Sequence, residues 1–220
     1  MEQNHHARYL VQANSLVVLL ILVIALVVEK GEDVLALNGA HTFSFDVLFY
    51  YVTALGNGLM IFVFVGLALF QSFRFALSLM TSSAAIGMLC YLLKRLLAMP
   101  RPVRVLEPGQ IHVVFDVSLN STYSMPSGHT AFAFGMAIVW ALYCKNKVGS
   151  TLMLLLAILV GLSRMYLGQH FLIDVSVGAM LGSICAWVVN IIITNINAPW
   201  LDRRIAMAWP EPLFPKPHGK

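Results

Sequence analysis

Between Arg8 and Glu29 the chain runs without one charged side chain, and SLVVLLILVIALVV within that run is apolar after its first serine. The pattern recurs: residues 47–73, 75–93, 117–144, 148–163 and 175–201 also lack Asp, Glu, Lys and Arg. A helix that is apolar all round has no favourable face for water. In a bilayer it satisfies its own backbone and needs about 20 residues to cross. Charged residues make up 11% of the 220-residue chain, against roughly 25% in soluble domains. This excludes a water-soluble globule, and continuous runs rather than alternation exclude a barrel.

The expected fold is therefore all-α, a polytopic membrane protein of six transmembrane helices over roughly 10–28, 52–72, 75–97, 127–143, 148–166 and 171–193. The segment FDVLFYYVTAL ahead of the second span is expected as an interfacial helix or a tilted lead-in, with Tyr50 and Tyr51 as headgroup-belt aromatics. Residues 1–200 are read as one transmembrane domain and 201–220 as a short cytoplasmic tail ending in the Pro-rich WPEPLFPKPHGK. Cys90, Cys144 and Cys185 lack metal-ligand spacing and are read as packing residues.

Basic residues orient the chain. Lys94, Arg95, Arg101, Arg104 and Arg164 gather at one set of helix ends, while Arg8, Arg74, Lys145, Lys147, Arg203, Arg204, Lys216 and Lys220 fall on the other. Lys30 alone breaks the division, and Glu29, Glu32 and Asp33 surround it. The positive-inside rule puts both termini in the cytoplasm and the first cluster outside. The net charge of +4 is then topology plus an anion site, and no nucleic-acid partner is implied.

Three outward-facing segments hold nearly all the polarity that the membrane does not explain. In KRLLAMPRP, Lys94 and Arg101 are seven residues apart, two turns if helical geometry persists, which would put both cations on one face. In PSGH, Pro126 and Ser127 suit a helix start, and Gly128 lets an anion approach the backbone. His129 then stands beside whatever is held there. In SRMYLGQHFLID, Arg164 ends one span while His170 and Asp174, four apart, open the next, so the carboxylate can support the imidazole. Cations, a helix N-terminus, one free histidine and one carboxylate-backed histidine suit phosphoryl transfer. The residues alone leave open which histidine attacks, although only His170 has a carboxylate one turn away. From Asp174, Gly178, Gly182 and Ala186 continue a line of small residues at every fourth position. That line suits close packing against a neighbouring helix in preference to a dimer interface.

Lys94-x6-Arg101-Pro102, then Pro126-Ser127-Gly128-His129, then Ser163-Arg164-x5-His170-x3-Asp174, resembles the tripartite signature of the type 2 phosphatidic acid phosphatase family. The resemblance implies a metal-independent enzyme with no cofactor. It implies that His170 attacks phosphorus and forms a phosphohistidine, that Asp174 orients it, and that His129 protonates the leaving oxygen and later activates water. Lys94, Arg101, Ser127, Gly128 and Arg164 would hold the phosphoryl oxygens. The expected partner is a phosphorylated membrane lipid, met as a monomer at the outer face of a bacterial inner membrane. Undecaprenyl diphosphate or a lipid A phosphate is favoured over phosphatidylglycerophosphate or phosphatidic acid. A lipid phosphotransferase using the same site is the alternative, and a transporter would instead gather polar groups at mid-bilayer.

The basic-residue split predicts that a reporter fused after Lys220 reads as cytoplasmic. A periplasmic signal would invert the orientation, and with it the leaflet that supplies the substrate.

Overall fold

The computed structural model describes residues 2–115, 117, 119–144 and 146–205, with the side chains of residues 2–6 left aside. Lys145, Lys216, Lys220 and the WPEPLFPKPHGK tail lie outside the described residues. Nine α-helices are described, and no strand occurs among the described residues: α1 (Glu2–Val27), α2 (Glu32–Gly39), α3 (Phe43–Leu55), α4 (Ile61–Leu69), α5 (Phe73–Leu97), α6 (Pro102–Val105), α7 (Gly128–Tyr143), α8 (Lys147–Tyr166) and α9 (Leu172–Thr194). Short 3₁₀ turns cover Gly58–Met60 and Pro199–Asp202.

Among the described residues, α1, α5, α8 and α9 are each long and apolar enough to cross a membrane; counting the bent α3–α4 pair as one span makes five. The sequence leads one to expect six. At 16 residues α7 is shorter than the bilayer thickness asks, and its surroundings explain why it is still apolar throughout. Every residue from Thr130 to Val139 is buried, so this helix is enclosed by protein rather than lipid. The span expected over 52–72 is also divided. Gly56 closes α3, the Asn57 side chain accepts the Leu59 N–H, and the axis turns by 58° before α4. The FDVLFYYVTAL segment thus leads into α4 through a bend.

α1 wears its apolar side chains outward, with Leu16, Leu19, Leu20, Leu26 and Val27 all exposed. A soluble surface would not tolerate such a patch, whereas lipid accommodates it. Lipid also removes the hydrophobic drive between helices, so close packing depends on small residues. Gly178, Gly182 and Ala186 of α9 meet α7 inside the molecule. A Cβ at Gly178 would strike the Ser127 backbone, and one at Gly182 the Ala131 carbonyl. Across the contact, Gly135 lies against the Gly182 carbonyl, Ala186 and Ile86.

Polar ties fix the ends. Asn14 of α1 donates to Ser183 Oγ of α9 at 2.9 Å. At the C-terminal end of α9, Arg74 donates to the Ile193 and Ile196 carbonyls at 2.7 and 3.1 Å and pairs with Asp202 at 2.7 Å. Ile193 is in the last turn of α9 and Ile196 lies just beyond it, where a cation suits the negative end of the helix. The chain stays on the body after Leu201, because Phe73 N–H donates to Arg203 O and Ile205 N–H to Leu69 O.

Gly182→Val should push α7 and α9 apart at a backbone contact, lowering the detergent melting midpoint by roughly 5–10 °C. Gly66→Val, at a position where a Cβ meets nothing within 4 Å, should leave it nearly unchanged. Equal midpoints for both variants would mean that the small-residue contact does not hold the helices together.

Candidate active site

The α7–α9 contact carries two of the three polar segments to one place. Ser127 N–H donates to the Asp174 carbonyl at 3.0 Å, stitching the start of α7 to the first turn of α9. Ser127 occupies the N-cap position, but its side chain does not cap: Oγ accepts from Thr130 Oγ1 at 2.9 Å instead. The first amides of a helix have no partner within it, so this uncapped turn is a natural anion seat. Gly128 and His129 are half-buried at its mouth.

Lys94 and Arg101 do converge, though by a different route from two continuous helical turns. Ala98 turns left-handed at φ 45° and ends α5, and Arg101 is extended ahead of α6. Pro100 and Pro102 make a continuous helix impossible there. Both cations instead grip the 121–124 stretch of loop. Lys94 Nζ donates to the Tyr123 and Ser124 carbonyls at 2.7 and 3.3 Å, and Arg101 Nε to Thr122 O at 2.9 Å. Arg101 also donates to Gln169 through its backbone oxygen at 3.1 Å and its side-chain oxygen at 3.0 Å. Arg95, next to Lys94, spreads over the Tyr91 and Tyr123 rings instead.

Arg164 is 8% exposed. One of its terminal nitrogens donates to Thr53 Oγ1 at 2.8 Å, while its Nε is buried with no hydrogen-bond partner. The chain then turns tightly, with Gly168 at φ 64° and the Arg164 carbonyl accepting from both Gln169 and His170 N–H. His170 follows, 2% exposed, just ahead of α9 rather than within it.

Asp174, also 2% exposed, reaches back over the helix start. Its Oδ2 accepts from Phe171 N–H at 3.0 Å, the return half of a capping box. The same oxygen accepts from Ser124 Oγ and lies 3.5 Å from His170 Nδ1. Burial, followed by the positive fields of Arg164, Arg101, Lys94 and His129, holds His170 well below the usual histidine pKa. The His170–Asp174 contact is therefore one between a neutral ring and a carboxylate, with Nδ1 turned toward the carboxylate and Nε2 left free.

Beyond His129 a groove of about 390 Å³ opens between α4, α5 and α7, lined by Ile61, Met80, Ile86, Gly87, Gly128, His129 and Phe132. A Cβ at Gly58 or Gly87 would meet nothing within 4 Å, so both glycines leave it open. Gly56, at the α3–α4 bend, has the opposite reason to be glycine: a Cβ there would come within 2.9 Å of His129 Cβ.

Ser124, Gln169 and Thr53 are absent from the motif-based set of site residues. Gln169 and Ser124 adjoin the signature segments, yet their spacing carries no periodic signal. Thr53 reaches Arg164 across 111 residues of sequence and had no signal at all. Two acids outside the three motifs also have partners: Asp33 accepts from Leu172 N–H, and Asp46 pairs with His112 at 3.0 Å and accepts from the Tyr166 hydroxyl. Among the described residues, no group of three or more His, Cys, Asp and Glu side chains has a metal-holding arrangement.

A model of the PAP2 superfamily matches residues 75–198. The crystal structure of LpxE from Aquifex aeolicus superposes with a TM-score of 0.65 at 30% identity, covering 73% of this chain and 93% of that one. A transmembrane PAP2-type phosphatidylglycerolphosphate phosphatase from Bacillus subtilis shares the fold, with a TM-score of 0.61 at 21% identity over 86% of this chain and 98% of its own. The bacitracin transport permease protein BcrC of Bacillus licheniformis is 42% identical over 66 residues. That match spans 30% of this chain and about a third, 32%, of the relative's length.

Proposed function

The chain belongs to the PAP2 superfamily, and from that premise we propose that it hydrolyses a lipid phosphate or diphosphate through a phosphohistidine on His170. The observation that carries the reading is the buried Nε–H of Arg164, which has no protein partner. A buried donor left unpaired costs about 1–3 kcal/mol, more when charged, and a tetrahedral oxyanion is the partner that fits it. Arg164, Arg101 and Lys94 all act on His170, a concentration of positive charge that a phosphate dianion would offset.

In this mechanism Lys94, Arg101, Arg164 and the α7 start at Ser127 and Gly128 hold the phosphoryl oxygens. The neutral His170 attacks through Nε2; the P–N bond forms as the ester P–O bond breaks. His129 gives its proton to the leaving oxygen. It then takes a proton from water, whose oxygen attacks phosphorus, breaks the P–N bond and frees phosphate. Asp174 offsets the positive charge that develops on His170.

The lipid tail would occupy the groove between α4, α5 and α7, whose inner end is His129. Undecaprenyl diphosphate and lipid A phosphates lead as substrates, since a site facing the periplasm of a bacterial inner membrane meets both. Phosphatidylglycerophosphate, the substrate named for the Bacillus subtilis relative, and phosphatidic acid come next. In this arrangement α7 is the fourth of six spans despite its length, residues 1–200 act as one unit, both termini are cytoplasmic and the protein works as a monomer.

Phosphate release from a panel of these lipids in detergent tests the reading. Turnover should persist in EDTA, and complete loss restored by Mg²⁺ would refute metal independence. His170→Ala should be inactive on every substrate. His129→Ala should lose roughly 10²–10⁴-fold on lipid esters, and much less on p-nitrophenyl phosphate, whose leaving group needs no proton. The reverse ranking would exchange the two histidine roles.

A further inference from the structure

Ser124 is 0% exposed and lies in the loop that both Lys94 and Arg101 grip. Its hydroxyl donates to Asp174 Oδ2 at 2.5 Å, and its oxygen is 3.5 Å from His170 Nδ1. The direct distance from that Nδ1 to Asp174 Oδ2 is also 3.5 Å, so both contacts of the ring are longer than the 2.7–3.2 Å of a good N–H···O bond. The carboxylate is thus held by Ser124 and by Phe171 N–H, while the histidine ring faces the serine and the carboxylate equally.

A hydroxyl can donate and accept at once, which neither an amide N–H nor a carboxylate can do. We propose that Ser124 is a positioning residue for phosphoryl transfer. Its proton stays on the Asp174 side, and its oxygen accepts from His170 Nδ1–H, so Nε2 is fixed as the nitrogen that attacks. No proton changes owner in this relay. Hydroxyl and carboxylate share the ring N–H, each at 3.5 Å, and these long contacts tighten as positive charge develops on the ring. The inference rests on the reading of His170 as the nucleophile.

A merely structural Ser124 would act through its backbone. Its N–H donates to Met99 O at 2.9 Å and its carbonyl accepts from Lys94. Alanine keeps both of those bonds and removes only the relay, so Ser124→Ala separates the two roles.

The test uses the full chain in detergent. With a lipid phosphate that the wild type turns over, Ser124→Ala should lower kcat roughly 10–100-fold, as loss of a group that orients a reactive ligand does elsewhere. KM should change little, because the hydroxyl does not touch the phosphate, and Ser124→Thr should recover most of the rate. In an Asp174→Asn background, Ser124→Ala should cost nothing further, since both changes break the same relay. ¹⁵N-histidine NMR, with His170 assigned through His170→Gln, should give one tautomer protonated at Nδ1 in the wild type and a mixture in Ser124→Ala. An unchanged kcat, full additivity with Asp174→Asn, or an unchanged tautomer would each overturn the proposal. If Ser124→Ala does not fold, Ser124→Cys, which keeps the size but donates weakly, carries the same comparisons. A wild type inactive on every lipid would defeat the proposed function, while the tautomer measurement would still decide the role of Ser124.

Discussion

The close approach of α7 to α9 is the contact on which the rest of the molecule depends. Lipid offers helices no hydrophobic reward for associating, so two backbones come together only where side chains are small enough. Gly178 and Gly182 allow it, and the first of them lies directly against Ser127. That places the start of α7 beside the start of α9, where the Ser127 amide meets the Asp174 carbonyl. Two helix beginnings meeting at one point bring the PSGH turn and the His170–Asp174 pair together without any long loop having to be ordered. α7 can be short because it lies inside the bundle, with its burial supplied by α5, α8 and α9.

The site's charge follows from where it is built. Cations near a bilayer are costly and are kept where they have partners. Lys94 and Arg101 give part of their donors to loop carbonyls, which both solvates them and closes the 121–124 segment over Asp174. Arg164 is different, because the Thr53 hydroxyl satisfies only one terminal nitrogen while Nε remains unpaired. Burial first, and then the same concentration of positive charge, keep His170 neutral, and neutrality is what a nitrogen nucleophile requires. An arrangement that attracts an anion therefore also prepares the group that could attack it. The field of the cations serves both ends.

The helical class, the span positions apart from their count, and the three polar segments can be read along the chain, because each is a local property. Charge-free runs report lipid or protein surroundings whatever the neighbours are, and PSGH carries its own helix start. The limits of that reading are equally physical. The 58° bend between α3 and α4 divides a run that hydropathy treats as continuous, because hydropathy averages over Gly56 and Asn57. Lys94 and Arg101 meet through a left-handed turn at Ala98, although their spacing alone pointed to a shared helical face.

What the sequence determined by itself was that these helices avoid water and which chemical types the polar segments carry, since composition and spacing act over a few residues. Only the tertiary structure decided which of those groups touch. Ser124 reaches Asp174 across 50 residues and Thr53 reaches Arg164 across 111. Such meetings depend on how closely two helices can approach and at what angle they cross, and small residues at distant positions set those jointly. No window of sequence contains both partners, so their partnership has no local signature.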